Sequence, residues 1–179
     1  KPSNLFHLVQ PRYIEILNLL ADNGSPEAQT ILGRMYEEGI YFKENLIEAA
    51  VYYYRALRND SPLGTNLLWQ LSREKELHQS VQSESEAGNN IAKFVWYGLT
   101  SINFDNRITM ADALNLLEES ANAFYLPAML ESGLNYYANR FGKNNIENVH
   151  PVMRLNNWKS RNLVMAGNFN LTNVDELFD

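Results

Sequence analysis

A sequence pattern that recurs along the chain constrains its fold more than any other feature. Ala28, Gly64, Ala92 and Ala128 hold equivalent positions in four segments, and the steps between them are 36, 28 and 36 residues. A period of this length is typical of arrays in which each repeat is one supersecondary unit that buries its apolar side chains against its neighbours. The shorter middle step is what a local deletion in one unit would produce. The pattern therefore predicts a repeat array.

The clearest segments have the periodicity of paired helices. In the first of them, the small and apolar residues fall on one helical face: Ala28, Leu32, Met35 and Tyr36. Gly39 then ends this helix, a second helical run covers residues 46–57, and Pro62 suits the first turn of the next helix. A similar pair of runs occupies residues 109–138. Each pair predicts a helical hairpin.

The motif within these segments is specific. Residues 28–39 have the pattern Ala-x-x-x-Leu-Gly-x-x-Tyr-x-x-Gly, and residues 113–121 have the alanine and leucine pattern of the helix that follows it. This combination resembles the Sel1-like repeat family, whose members are relatives of the tetratricopeptide repeat. The resemblance is clearest over residues 27–57 and 109–138. It implies an all-α fold, namely a right-handed α-solenoid of stacked antiparallel helical hairpins with N- and C-terminal caps.

The same resemblance places the whole chain, residues 1–179, in a single repeat domain. Its successive parts are a cap with a partial repeat (1–25), four hairpins (26–61, 62–89, 90–125 and 126–166) and a terminal cap or truncated repeat (167–179). Caps are expected because the terminal repeats of a solenoid would otherwise expose their apolar faces.

Two features indicate where the chain departs from a regular array. Trp69 and Tyr97 occupy the position that Gly33 and Gly133 hold in the outer units. Because a large ring does not fit the same close helix crossing, the two middle units are predicted to be tilted or spread. Residues 73–86 are polar and poor in large apolar side chains, which predicts a short or frayed helix.

Three consecutive tyrosines, Tyr52, Tyr53 and Tyr54, cannot form one stacking platform, because adjacent helical residues point about 100° apart. The family pattern places Tyr52 and Tyr53 in the packing between helices and leaves Tyr54 facing outward. An isolated glycine within a helix costs about 1 kcal/mol relative to alanine. Gly33 is therefore expected at a close helix contact, whereas Glu48 is expected to face solvent.

Composition and motifs argue against several classes of function. The net charge of −6 is unfavourable for a nucleic-acid or anionic membrane surface, and no apolar run is long enough to cross a bilayer. Cysteine is absent, so no disulfide or thiolate metal site is encoded. The chain has no phosphate-binding loop, and its three histidines lie far apart. We therefore expect no cofactor, no metal site, no catalytic activity and no direct membrane insertion.

The resemblance implies that the first helix of each hairpin lines the concave face of the solenoid. The polar end of this face is predicted to comprise Arg34, Glu37 and Glu38. Its apolar end is predicted to comprise Ile91, Phe94, Leu130, Leu134 and Tyr137. Exposed apolar patches usually mark partner sites, so we expect a protein partner there. The alternative, that the C-terminal segment folds back and covers the apolar end, stays open.

These observations favour a protein–protein interaction scaffold or adaptor. A dedicated inhibitor or immunity-type protein is an alternative that would present one preformed surface to a partner enzyme. A glycan-binding module of the cell envelope would need aromatic rings lying flat in an open groove, and an enzyme would need converging, perturbed carboxylates. The asparagine-rich composition suggests a bacterial source. The first residue, Lys1, favours an exported or periplasmic protein only weakly, because a truncated chain explains it equally well.

Overall fold

The structure, a computed structural model, describes residues 10–137. This part of the chain contains eight α-helices and no strand. The helices are α1 (Pro11–Asp22), α2 (Pro26–Glu37), α3 (Leu46–Arg58), α4 (Pro62–Leu71), α5 (Lys75–Glu86), α6 (Asn90–Ser101), α7 (Met110–Asn122) and α8 (Leu126–Tyr137). The predicted all-α class is thereby confirmed. Residues 1–9 of the predicted N-terminal part, and everything predicted for residues 138–179, lie outside the described residues.

Residues up to Leu134 belong to one compact unit, and the chain from Asn135 belongs to another. The packing described below lies within the first unit. The core of this unit is built mainly from the apolar faces of α2, α3 and α6.

The 36-residue period corresponds to a repeated way of starting a helix. Ser25 and Ser61 precede α2 and α4, and each hydroxyl accepts a hydrogen bond from the backbone N–H three residues later, at 3.2 and 3.0 Å. A proline follows each serine at the first helical position, where its missing N–H is not needed. Asn89 caps α6 without a following proline, and its side-chain oxygen accepts hydrogen bonds from the backbone N–H groups of Ile91 and Ala92. Four helices therefore begin at the first residue of a predicted hairpin, at residues 26, 62, 90 and 126.

Helices α2 and α3 cross closely at Gly33. A Cβ atom built on Gly33 would lie 2.5 Å from Cε1 and 2.6 Å from Cδ1 of Tyr53, closer than packed atoms approach each other. Tyr53 is fully buried, and its hydroxyl donates a hydrogen bond to Glu37. Gly33 is therefore a close-contact position, as its sequence context predicted.

Residues 62–89, in the middle of the array, do not pack as the predicted helical hairpin. Helices α4 and α5 follow each other in the chain but scarcely contact each other, whereas α3 packs directly against α6. The ring of Trp69, 45% exposed, lies at the surface beneath the guanidinium of Arg73. A ring at the surface does not have to fit a helix crossing. Helices α4 and α5 are thus apart within one middle unit, but Tyr97 of the other middle unit is fully buried. The tilt or spread of the two middle units relative to the outer ones stays a prediction.

The prediction of a short or frayed helix over residues 73–86 was wrong. Helix α5 extends without interruption from Lys75 to Glu86. Leu77, Val81 and Ser85 are spaced four residues apart and are all buried, so they form one continuous contact stripe. A narrow stripe of this kind secures a helix even when every other position is polar.

The prediction that Tyr54 faces outward was also wrong. Tyr54 is 3% exposed, and its ring lies edge-on to that of Phe94 in α6, with the ring centroids 5.6 Å apart. A Cβ atom on Gly98 would lie 3.2 Å from the same ring. The face of α3 that was assigned to solvent is therefore covered by α6. Tyr53 is buried and Tyr52 is half-buried, as predicted.

A buried carboxylate anchors the loop between α6 and α7 to α5. The side chain of Asp105 is 1% exposed and accepts hydrogen bonds from Arg107, with Nη2 at 2.6 Å and Nε at 3.0 Å. Nδ1 of His78 in α5 lies 3.2 Å from the same carboxylate. Burial opposes ionisation, but the hydrogen bonds and charge of Arg107, aided by His78, hold the pKa of Asp105 below its usual value.

Candidate partner-binding surface

The predicted polar end of the binding face lies in the last turn of α2. Arg34 and Glu38 are exposed and form an ion pair with 3.6 Å between nitrogen and oxygen. Glu37 lies between them in sequence but accepts the hydrogen bond from the buried Tyr53 hydroxyl. Burial, together with this hydrogen bond and the charge of Glu37, raises the pKa of Tyr53. Arg34 and Glu38 are thus open to a partner, whereas Glu37 fixes a core side chain.

The predicted apolar end is divided between α6 and α8. Phe94 is 2% exposed, and its ring packs edge-on to the rings of both Tyr54 and Tyr125, at centroid distances of 5.6 and 5.5 Å. The expectation that Phe94 is an accessible anchor was therefore wrong, because the contact between α3 and α6 makes this ring part of the core. The other four side chains differ in their exposure. Ile91 and Leu130 are half-buried, Leu134 is 48% exposed and Tyr137 is 77% exposed.

A stack of aromatic rings, not anticipated from the sequence, joins α2 to α3. Tyr36, at the end of α2, stacks on Phe42 from the following loop, with 4.3 Å between centroids and 5° between planes. Tyr36 also stacks on Tyr52 in α3, at 5.7 Å and 15°. All three side chains are half-buried. Tyr41, 44% exposed, lies edge-on to Phe42 at the rim of the stack.

Glu48 lies one turn before Tyr52 on the same face of α3. It is half-buried rather than solvent-facing, so the expectation for this residue was wrong. Burial raises the pKa of its carboxyl group. Its carboxylate has no hydrogen bond or ion pair with any residue from 10 to 137. Glu48 therefore loses part of its hydration without a protein group to replace it.

Tyr125, at the start of α8, completes the surface. Burial raises the pKa of its phenol, and the charge of Glu48 raises it further. Burial likewise raises the pKa of Tyr36, and that of Tyr52 to about 12, with Glu48 contributing to both. We call Tyr36, Phe42, Glu48, Tyr52 and Tyr125 the tyrosine–Glu48 surface.

Arg55 borders this surface but does not neutralise it. Its guanidinium lies 5.6 Å from the centroid of the Tyr52 ring. Its Nη2 atom donates to the carbonyl oxygen of Ala21 at 3.0 Å and to the carboxylate of Asp22 at 3.1 Å, both in α1. The positive charge of Arg55 is thus paired with the C-terminal end of α1, and the charge of Glu48 stays uncompensated.

A weak sequence signal for the surface exists. Glu48, Tyr52 and Arg55 are spaced by four and three residues, so they share one helical face. The contribution of Tyr125 is not encoded locally, because it depends on the packing of α6 against α3.

The described residues contain no group of three or more His, Cys, Asp or Glu side chains that could hold a metal ion. Between residues 10 and 137, none of the helices has both the length and the apolar character needed to span a bilayer. A scan against models of protein families, a search of curated proteins and a search of solved structures each found nothing that matches this chain.

Proposed function

We propose that this chain is a protein–protein interaction module that binds its partner through the tyrosine–Glu48 surface. The observation that carries the proposal is a half-buried carboxylate without a protein partner, set among half-exposed tyrosine rings. Tyrosine is enriched at interfaces because it supplies a large apolar contact area and a polar tip at low conformational cost.

The support beneath the surface is rigid, which favours binding. On the same helix, Tyr53 is locked against Gly33 and Glu37, and Tyr54 is locked against α6. A surface that is preorganised in this way loses little conformational entropy when a partner binds. Arg34 and Glu38 share the last turn of α2 with Tyr36 and are proposed as rim charges, which chiefly affect association rate and specificity.

We also propose that the helices form a Sel1-like array, with the right-handed stacking and terminal caps that this family implies. The repeated serine–proline helix starts and the close crossing at Gly33 support this proposal. Ile91, Leu130, Leu134 and Tyr137 remain proposed as separate partner contacts. The exposure of Leu134 and Tyr137 is consistent with that role.

A glycan-binding role is less favoured by the geometry. A sugar ring packs against an open aromatic face, but Tyr36 uses its ring faces to stack on Phe42 and Tyr52. The ring of Tyr52 additionally lies beneath the guanidinium of Arg55.

Site-specific photocrosslinking in the cells that naturally make this protein tests the proposal. A photoreactive phenylalanine derivative in place of Tyr41 lies at the rim of the surface and is expected to give one discrete protein adduct. The same group in place of Gln79, exposed on α5, serves as the control and should give none. Equal adduct patterns from the two positions, or no adduct from Tyr41, would contradict the proposal.

A further inference from the structure

Four oxygen-bearing groups of the tyrosine–Glu48 surface lack partners within the described part of the chain. They are the carboxylate of Glu48 and the phenolic hydroxyls of Tyr36, Tyr52 and Tyr125, none of which makes a hydrogen bond to residues 10–137. Burial is also the main influence on the pKa of each of these groups, so all four are partly shielded from water. They therefore offer a set of hydrogen-bond acceptors that the fold itself does not use.

Three of the four groups lie together geometrically, because the rings of Tyr36 and Tyr52 stack with 5.7 Å between centroids and Glu48 lies one turn before Tyr52 on the same face of α3. Tyr125 is linked to them by its electrostatic interaction with Glu48. The charge of Glu48 influences all three phenols, and Tyr52 is coupled both to Tyr36 and to Tyr125. Because the phenols stay neutral at pH 7, the cluster carries a single negative charge. A single charge suits a monovalent organic cation, whereas a divalent metal ion prefers several carboxylate and carbonyl oxygens.

The chemistry of the cluster favours arginine over lysine. A guanidinium has five N–H donors in one plane, is weakly hydrated and packs well against aromatic rings, whereas an ammonium is compact and strongly hydrated. Within this chain, the guanidinium groups of Arg55 and Arg73 lie over the rings of Tyr52 and Trp69. Arginine is also enriched at protein interfaces.

We propose that the tyrosine–Glu48 surface binds an arginine side chain of the partner protein. The guanidinium pairs with the carboxylate of Glu48 and donates hydrogen bonds to the phenolic oxygens around it. This inference rests on the proposed function, since it specifies the chemistry of the partner at the same surface.

The test is an NMR titration of the whole chain with N-acetylarginine methylamide, followed through the backbone amides of α3. Saturable shifts with a dissociation constant on the order of 1–10 mM are expected for one charged contact of this kind. The lysine analogue should bind several-fold more weakly, and the uncharged norleucine analogue should cause no saturable shift.

Glu48→Gln keeps the shape of the side chain but removes its charge, and should weaken binding of the arginine analogue about tenfold. Glu76→Gln, an exposed carboxylate on α5, is the matched control and should change nothing.

Equal affinity in Glu48→Gln and in the unchanged chain would overturn the proposal, as would equal shifts from the arginine and norleucine analogues. Tighter binding of the lysine analogue would overturn the preference for arginine. Combining Glu48→Gln with the crosslinker at Tyr41 separates the two proposals. An undiminished adduct would refute arginine recognition but leave the interaction function intact. If the adduct is lost only in the Glu48→Gln variant, that result supports both proposals.

Discussion

Replacing Gly33 with leucine is expected to lower the free energy of unfolding by about 3 kcal/mol, at the upper end of what overpacking costs. Even the Cβ atom of the new side chain would lie 2.5 Å from the Tyr53 ring. The Tyr53 ring cannot change its rotamer to make room, because it is fully buried and its hydroxyl donates a hydrogen bond to Glu37. Helices α2 and α3 must therefore separate. Urea denaturation followed by circular dichroism measures the loss.

Two further variants control for this result. Arg34→Leu changes the exposed neighbouring residue and should alter stability by no more than about 0.5 kcal/mol. Gly98→Ala places a Cβ atom 3.2 Å from the Tyr54 ring, a milder crowding that a gain of about 1 kcal/mol in helix propensity largely offsets. Similar urea midpoints for Gly33→Leu and Arg34→Leu would show that the close crossing between α2 and α3 does not exist.

The positions at which helices begin could be predicted from sequence because their determinants are local. A serine followed by proline fixes a helix start through one hydrogen bond and one missing donor, and it does so at Ser25 and again at Ser61. The need for glycine at residue 33 could be predicted for a similar reason, since glycine is costly within a helix unless packing requires it.

Which helix packs against each face of α3 could not be predicted in the same way. Periodicity correctly separates Tyr52, Tyr53 and Tyr54 onto three directions, but it does not say what lies in each direction. In the structure Tyr53 packs against α2, Tyr54 packs against α6, and Tyr52 belongs to the tyrosine–Glu48 surface. Only the outward assignment of Tyr54 failed, because α6 packs on α3 although a full helix pair separates them in the chain.

The same long-range contact explains why the binding surface was predicted at other residues. Phe94 was expected to be accessible because it lies on the first helix of its unit, but its ring is enclosed by Tyr54 and Tyr125. Glu48 was expected in solvent because it is charged, but it is half-buried, and this burial raises the pKa of its carboxyl group. Rules based on local sequence assign charged residues to the solvent-exposed surface. Residues that deviate from these rules are expected at functional sites.

Replacing Asp105 with alanine is expected to destabilise the chain by about 2–3 kcal/mol, because hydrogen bonds to a buried charged group are lost while Arg107, which is 32% exposed, stays partly solvated. The carboxylate is 1% exposed and is the shared acceptor for Arg107 and His78. Without it, Arg107 would keep its hydrogen bond to the His78 carbonyl at 3.0 Å and its contact with the Trp96 ring, but its charge would be uncompensated. Thermal and urea denaturation measure the loss.

The pH dependence of stability tests whether the Asp105 carboxylate is held in its ionised form. The pKa of Asp105 is lower in the folded chain than in the unfolded chain, where it is about 3.9. Its ionised form therefore stabilises the fold above that value, and this stabilisation is lost as pH falls through the lowered folded pKa.

Asp105→Asn should be less stable than the unchanged chain at pH 7, and the difference in stability should shrink on acidification below about pH 4. Asp60→Asn, at an exposed turn, should show no such convergence. A constant difference between Asp105→Asn and the unchanged chain across this range would mean that the Asp105 carboxylate is not held ionised by Arg107 and His78.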